Sequence, residues 1–203
     1  MTADNILVLD IETTGLDGYE KGDKILSIGI ATVNIPAHRV TPTFYTPIHQ
    51  DLTPVGLDCW LFRTKHMDPS EITGAPWGDL IVADIVASII DGTVVTTYNT
   101  AFDLDMFLDP WLMDNMAIED VPFYFRAPCL MRACSQVEEI PRNTHADGTS
   151  WPSLKASYYQ LCGHRQPGID LHNALNDAVV AGEVMLALID RGLYDPNSEE
   201  EYA

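Results

Sequence analysis

"VLDIETTGL", residues 8–16, sets two carboxylates two positions apart in an otherwise apolar run. Ile6 and Leu7 precede it, so residues 6–9 read as a strand buried on both faces. Asp10 and Glu12 then fall where such a strand should stay apolar. Residues two apart on a strand share a face, so the two acids project side by side. Buried charges are costly unless paired or bound to a metal, and hard divalent cations such as Mg²⁺ and Mn²⁺ favour carboxylate oxygens. Taken alone, Asp-x-Glu also arises on strands by chance. The next residues add to it: Gly15 after Thr13 and Thr14 lets the backbone approach a ligand closely, and Leu16 would sit at the mouth of such a site. An ordinary turn with a hydrophobic plug fits the same four residues.

Outward from this stretch, residues 4–11, 24–34 and 39–48 read as three strands, the second partly alternating and rich in β-branched side chains. Residues 49–76 read as irregular, punctuated by Pro54, Pro69 and Pro76. Apolar residues at 81, 82, 85, 86, 89 and 90 make a helical stripe that Gly92 stops. "TVVTTYN" is a short strand and "AFDLDMFLDPWL" a helix. "EEIPRNTHADGTSWPS" reads as a polar loop, followed by the helices "LKASYYQLCG" and "NALNDAVVAGEVMLALIDRG". Strands first, then helix, strand and helix predict an α/β fold with a mixed central sheet flanked by helices. A single domain over residues 1–193 with an acidic, frayed tail over 194–203 is expected.

The chain has 203 residues, 46% of them hydrophobic, enough for a real core. No charged-then-apolar leader opens it and no apolar run approaches membrane-spanning length, which predicts a soluble cytoplasmic protein with no membrane association. Four cysteines without metal-binding spacing read as buried free thiols. Thirty acids against eleven Lys and Arg give a net charge of −19, with Asp outnumbering Glu two to one. Such a surface repels polyanions at long range and excludes strong non-specific nucleic-acid binding. Arg126, Arg132, Arg142 and Lys155 could form a local basic rim, or be scattered solvated charges.

Two further segments carry chemistry. In "YNTAFDLDMF" the strand ends near Asn99 and Asp103 falls in the first helical turn, where the helix dipole favours an anion. Functional groups gather at the C-terminal ends of strands in such sheets. Asn99 as a turn residue and Asp103 as a helix-start acid are the plainer readings, and Asp105 and Asp109 read as solvated. In "LHNALNDAVVAGE", His172 and Asp177 are five apart, a spacing that separates them on one helix. With His172 in the loop before the helix, Asn173 as N-cap and Asp177 in the first turn, both converge on one site.

Together, "DIETTGL", "NTAFD" and "HNALNDA" resemble the three motifs of the DEDDh family of 3′→5′ exonucleases, similar to the proofreading epsilon subunit of bacterial DNA polymerase III. The resemblance runs from about residue 5 to 192, in the family's order. "TKHMDPSEITGAP" is a weaker match to the segment between the first and second motifs, with Met67 where Gly is usual; Asn176 stands where the third motif commonly has Asp. The resemblance implies a ribonuclease H-like fold and two divalent cations, Mg²⁺ or Mn²⁺. It makes Asp10, Glu12, Asp103 and Asp177 the metal carboxylates and His172 the general base. It also implies that Thr13, Thr14, Gly15, Leu16, His66, Asn99 and Phe102 lie against the terminal nucleotide, with backbone amides near Thr13 and Thr14 on its sugar.

The substrate so implied is a nucleic-acid 3′ end, with DNA, single-stranded or frayed, favoured over RNA. The first motif also resembles the oligoribonuclease version, so RNA trimming is the nearest alternative. A nuclease-like scaffold docking on a replication partner is the alternative from another class. The chain ends soon after its last helix, where the epsilon-like subunits carry a polymerase-docking extension, so a free-standing nuclease is expected over a proofreading subunit.

Overall fold

The computed structural model describes residues 3–52, 54–76, 78–144, 148–163 and 171–198. Strands β1 (Asn5–Thr13), β2 (Ile25–Asn34) and β3 (Arg39–Pro47) come first, followed by short helices α1 (Pro54–Leu57), α2 (Trp60–Arg63) and α3 (Pro69–Thr73). Helix α4 (Asp79–Ile90) leads to strand β4 (Val94–Thr97), a π-helical stretch over Ala101–Leu108, and α5 (Asp109–Asn115). Strand β5 (Phe125–Arg126), α6 (Leu130–Cys134), the hairpin strands β6 (Arg142–Thr144) and β7 (Ser150–Pro152), α7 (Leu154–Cys162) and α8 (Ala174–Asp190) complete the order.

The main sheet runs β3-β2-β1-β4-β5. β1 pairs antiparallel with β2 and parallel with β4, so the sheet is mixed and β1 lies at its centre. Helices cover both faces, giving the expected ribonuclease H-like α/β architecture. The period of two along β1 sorts its side chains. Leu7, Leu9 and Ile11 pack with α4, the π-helical stretch and α5. Ile6 and Val8 pack with α6, α7 and α8. Asp10 and Glu12 continue that second row, so the acids emerge on the face that α8 covers.

Two glycines let α8 lie against that face. Gly29 is opposite Asp10 in the β1–β2 register. A Cβ on Gly29 would stand 2.2 Å from the Ala174 carbonyl carbon and the Leu175 nitrogen. One on Gly182 would stand 2.9 Å from methyl groups of Val33 and Val40. The first turn of α8 therefore rests directly on the strand beside Asp10.

The structure departs from the sequence expectations in four places. Residues 49–76 include three short helices, the third started by Pro69 and a reciprocal Asp68–Glu71 capping box. The polar loop after Glu138 contains an antiparallel hairpin, Arg142–Thr144 against Ser150–Pro152; its polar strands lack the apolar alternation that reveals one. Residues 145–147 of that loop lie outside the described residues. Tyr194, assigned to a frayed tail, is buried, and its hydroxyl donates to the Pro128 carbonyl at 2.6 Å; residues 199–203 of that tail are not among those described. Asp105 and Asp109, read as solvated, both pair with Arg126. The four cysteines are free, three of them buried, as the sequence suggested. No helix among the described residues is long and apolar enough to cross a membrane.

Candidate active site

Three chain segments meet at the C-terminal end of β1. The strand itself brings Asp10 and Glu12. Asp103 enters from the first turn after β4, its N–H donating to the Asn99 carbonyl at 2.9 Å, and it is only 4% exposed. The third segment is the start of α8. Asn173 is its N-cap, accepting from the Asn176 amide at 3.2 Å, and Asp177 lies in the first turn. The backbone N–H of His172 donates to both Asp177 carboxylate oxygens, at 3.3 and 3.2 Å. His172 adopts a left-handed φ of 74°, uncommon for a side-chain-bearing residue but more tolerated by His than most. That local turn lets residues five apart converge, as the motif spacing required.

Glu12, His172 and Asp177 offer donor atoms that all lie within 4.8 Å of one another. The electrostatics of the cluster are those of crowded, desolvated acids. Burial pushes the Glu12 carboxyl up to about 8, with the charges of Asp177 and Asp103 adding to it. Burial, then the charges of Asp103, Asp177 and Glu12, raises Asp10 well above the usual carboxylate range. Burial lifts Asp103 to about 7, although the Thr97 hydroxyl and the backbone around Asn99 and Ile11 favour its charged form. Among the described residues, no Lys or Arg ion-pairs with Asp10, Glu12 or Asp103. Hard oxygen donors gathered at such a cost fit a divalent cation, which would compensate the repulsion.

The remaining residues named from sequence distribute unevenly. Leu16 is 79% exposed and, with Asn99 and His172, lines an open groove beside the acids. The loop carrying it is built around Asp23: its carboxylate accepts from the Asp17 amide at 2.8 Å and packs so tightly on Gly15 that a Cβ there would be 2.4 Å away. Thr14 is spent on the same loop, donating its amide to the Lys24 carbonyl at 3.0 Å and accepting from the Lys24 amide at 2.9 Å. The Thr14 amide is thus paired within its own loop. Thr13 turns its hydroxyl onto the Gly15 carbonyl at 2.7 Å. Phe102 tilts against Phe107 at 4.9 Å and packs on the core rather than along the groove.

His66 does reach the site. Lys65, at φ 62°, turns the chain after α2. The His66 ring stacks on Trp60 at 5.1 Å and lies 4.6 Å from the His172 ring. Trp60 itself meets His172 at 4.7 Å and 73°. Sequence reasoning missed Trp60; an aromatic six positions before His66 was its only signal. Gly29 and Asp23 were missed as well, since neither donates chemistry.

Comparisons with known proteins agree with this picture. No curated protein sequence matches the chain. Among solved structures, exonuclease I of E. coli in complex with a dA16 oligonucleotide superposes with a TM-score of 0.65 at 16% identity, over 93% of this chain and 41% of that one. Its complex with a dT13 oligonucleotide gives 0.65, 16%, 93% and 42%. A product-bound exonuclease I gives 0.65, 15%, 95% and 45%. This chain therefore spans less than half the length of those proteins, and the likeness is one of fold. At the level of sequence, residues 7–185 match the RNase_T family model, described as Exonuclease, and the chain belongs to that family.

Proposed function

We propose that this chain is a metal-dependent 3′→5′ exonuclease, hydrolysing the terminal phosphodiester of a nucleic-acid strand to release nucleoside monophosphates. The observation that carries the reading is the cluster itself: desolvated acids crowded onto the end of one strand and the starts of two helices, with Glu12 and Asp177 beside the His172 imidazole and a groove alongside. Asp10, Glu12, Asp103 and Asp177 would hold two divalent cations, Mg²⁺ or Mn²⁺. Cations bound there supply an activated water and charge stabilisation at the leaving oxygen.

The chain's own groups do the rest. His172, exposed and anchored through its N–H to Asp177, takes the water proton as general base. A new oxygen–phosphorus bond forms, the bond to the upstream 3′-oxygen breaks, and that oxygen is protonated from solvent. Leu16, on the loop that Asp23 braces, abuts the terminal base. Asn99, His66 and Trp60 line the approach.

DNA with an unpaired 3′ end is the favoured substrate. Its support is the fold shared with exonuclease I, whose structures hold dA16 and dT13 oligonucleotides. The test is 5′-labelled single-stranded DNA and RNA of equal sequence, incubated with Mg²⁺, Mn²⁺ or EDTA. A metal-dependent ladder shortening from the 3′ end, faster on DNA, is expected. A faster RNA ladder would reassign the substrate. No cleavage of either by the folded protein would refute the reading in favour of a nuclease-like scaffold that docks on a partner.

A further inference from the structure

Beyond the carboxylates, the groove that begins at Leu16 and His172 continues for some distance, enclosing about 1160 Å³. That exceeds the few hundred Å³ to about 1,000 Å³ usual for a small-molecule site. Its far wall is the β6–β7 hairpin, which presents Asn143 and Trp151 to it. The hairpin is held in place from below. The Tyr98 hydroxyl, just past β4, donates to the Pro152 carbonyl at 2.9 Å and lies 2.8 Å from the Ser157 hydroxyl. The Arg142 guanidinium donates to the Ser135 carbonyl. The wall is therefore braced on the same strand end that leads to Asp103.

The groove is not a strongly basic track. Of its two arginines, Arg126 is neutralised by Asp105 and Asp109, and Arg132 is the second. Arg142 is committed to a backbone carbonyl, and Lys155 lies on an exposed helix position not lining the groove. What the groove offers instead is an aromatic face. Trp151 is half-buried, and its ring makes no ring contact with another aromatic among the described residues. Every base has a π-face, so one indole can hold unpaired bases of any sequence. A base inside a duplex is already stacked and cannot use it.

We infer that this groove is a second subsite for the strand upstream of the 3′ end, in which Trp151 stacks on an unpaired base and Arg132 contacts a phosphate. The inference rests on the exonuclease reading of the adjoining cluster and extends it. It makes affinity for single strands depend on stacking more than on charge, which suits a protein of net charge −19. Binding should then respond weakly to salt, with a slope of log K against log[salt] of about −0.7, one phosphate contact.

The experiment compares wild type, Trp151→Ala, Trp151→Phe and Arg132→Ala on oligothymidylates dT2 and dT8. Initial rates with Mg²⁺ are measured alongside the Kd of 5′-fluorescein-dT8 by anisotropy in EDTA. Trp151→Ala should lose about 10-fold more kcat/KM on dT8 than on dT2, through KM, and raise the dT8 Kd about 10-fold. Trp151→Phe should recover most of both. Arg132→Ala should weaken dT8 binding and flatten the salt slope by about 0.7. Equal losses at both lengths, or none at either, would overturn the subsite while leaving the nuclease intact. If wild type cleaves neither oligonucleotide, the DNA-exonuclease reading fails. The anisotropy then decides alone: equal Kd values for wild type and Trp151→Ala reject the subsite, and a 10-fold difference supports it.

Discussion

The rings of Trp60 and His172 meet edge to face, their centroids 4.7 Å apart at an interplanar angle of 73°. His66 closes the group, stacked on the indole and 4.6 Å from the second imidazole. The candidate general base is thus held from two sides: its backbone by Asp177, its ring by an aromatic pair. A contact of this kind contributes about 0.5–1.5 kcal/mol. Trp60→Ala should therefore lower kcat about 2- to 10-fold, and Trp60→Phe should restore most of it. His172→Ala should cost about 100-fold or more, as loss of a general base does, and remove the base-dependent limb of the pH–rate profile. Trp60→Ala should keep that limb. A Trp60→Ala enzyme as slow as His172→Ala, with the limb gone, would mean that the indole does more than position the imidazole.

Gly29 answers a different requirement. Its missing side chain is what allows the first turn of α8 to rest on β2 opposite Asp10. Gly29→Ala places a methyl against backbone rather than a yielding side chain, so the helix must lift. Overpacking of this sort costs about 1–3 kcal/mol. The lift would also carry Asp177 and His172 away from Glu12, so metal-induced stabilisation should fall more than in Gly92→Ala, a control whose own cost is strain at φ 67° with nothing within 4 Å of the added Cβ. Thermal unfolding with and without Mg²⁺ checks both. A Gly29→Ala protein with wild-type stability and a full metal response would show that α8 can accommodate the methyl.

These residues mark where sequence reading succeeds and stops. Asp10, Glu12, Asp103, His172 and Asp177 were legible through the resemblance of their three motifs to the exonuclease family; backbone period alone left a chance Asp-x-Glu and a helix-start acid as the plainer readings. The structure brings the three segments together. The strand segments and the Asn173 cap of α8 were legible from β-branched runs, turn residues and capping chemistry. Gly29 carries no signal of its own in "KILSIGIATVN"; its purpose exists only once a helix from 145 residues later packs on it. Trp60, on a four-residue helix, and the polar β6–β7 hairpin were illegible because elements so short carry no periodicity. The pairing of the Thr14 amide with Lys24 was illegible since it is a property of the bulged end of β1, where the register shifts after Glu12.

The acids give the metal-free protein a pH dependence of definite sign. Glu12 near 8 and Asp103 near 7 hold their protons more tightly folded than unfolded, where carboxyls titrate near 4. Folding then takes up protons between about pH 4 and pH 8, so stability is greatest below that window and declines as pH rises through it. Metal binding removes the penalty. At 100 times its Kd a cation adds about 2.7 kcal/mol, or roughly 5–10 °C in Tm for a domain of this size. In EDTA, Tm should fall from pH 5.5 to pH 8, and Mg²⁺ should raise it more at pH 8 than at pH 5.5. A metal-free Tm that climbs with pH across this range would contradict the crowded-acid picture.

Asp10→Asn separates stability from activity at the same position. Asp10 sits among Asp103, Asp177 and Glu12, all of which repel its charge. Replacing the carboxylate with an isosteric amide relieves that repulsion and removes a group whose own carboxyl is raised by burial. The metal-free variant should be at least as stable as wild type at pH 8 and should show a smaller loss between pH 5.5 and pH 8. Cleavage should nevertheless drop below detection, because an amide cannot replace an anionic ligand to a hard cation. The Mg²⁺-induced rise in Tm should shrink with it. Opposite behaviour in a structural acid is easily recognised: Asp23→Asn removes charge from a carboxylate that braces the Leu16 loop, so it should lower Tm with or without metal and leave the metal increment in place. If Asp10→Asn instead destabilises the metal-free protein and retains the full Mg²⁺ response, Asp10 is a structural acid and the metal assignment at the centre of β1 is wrong.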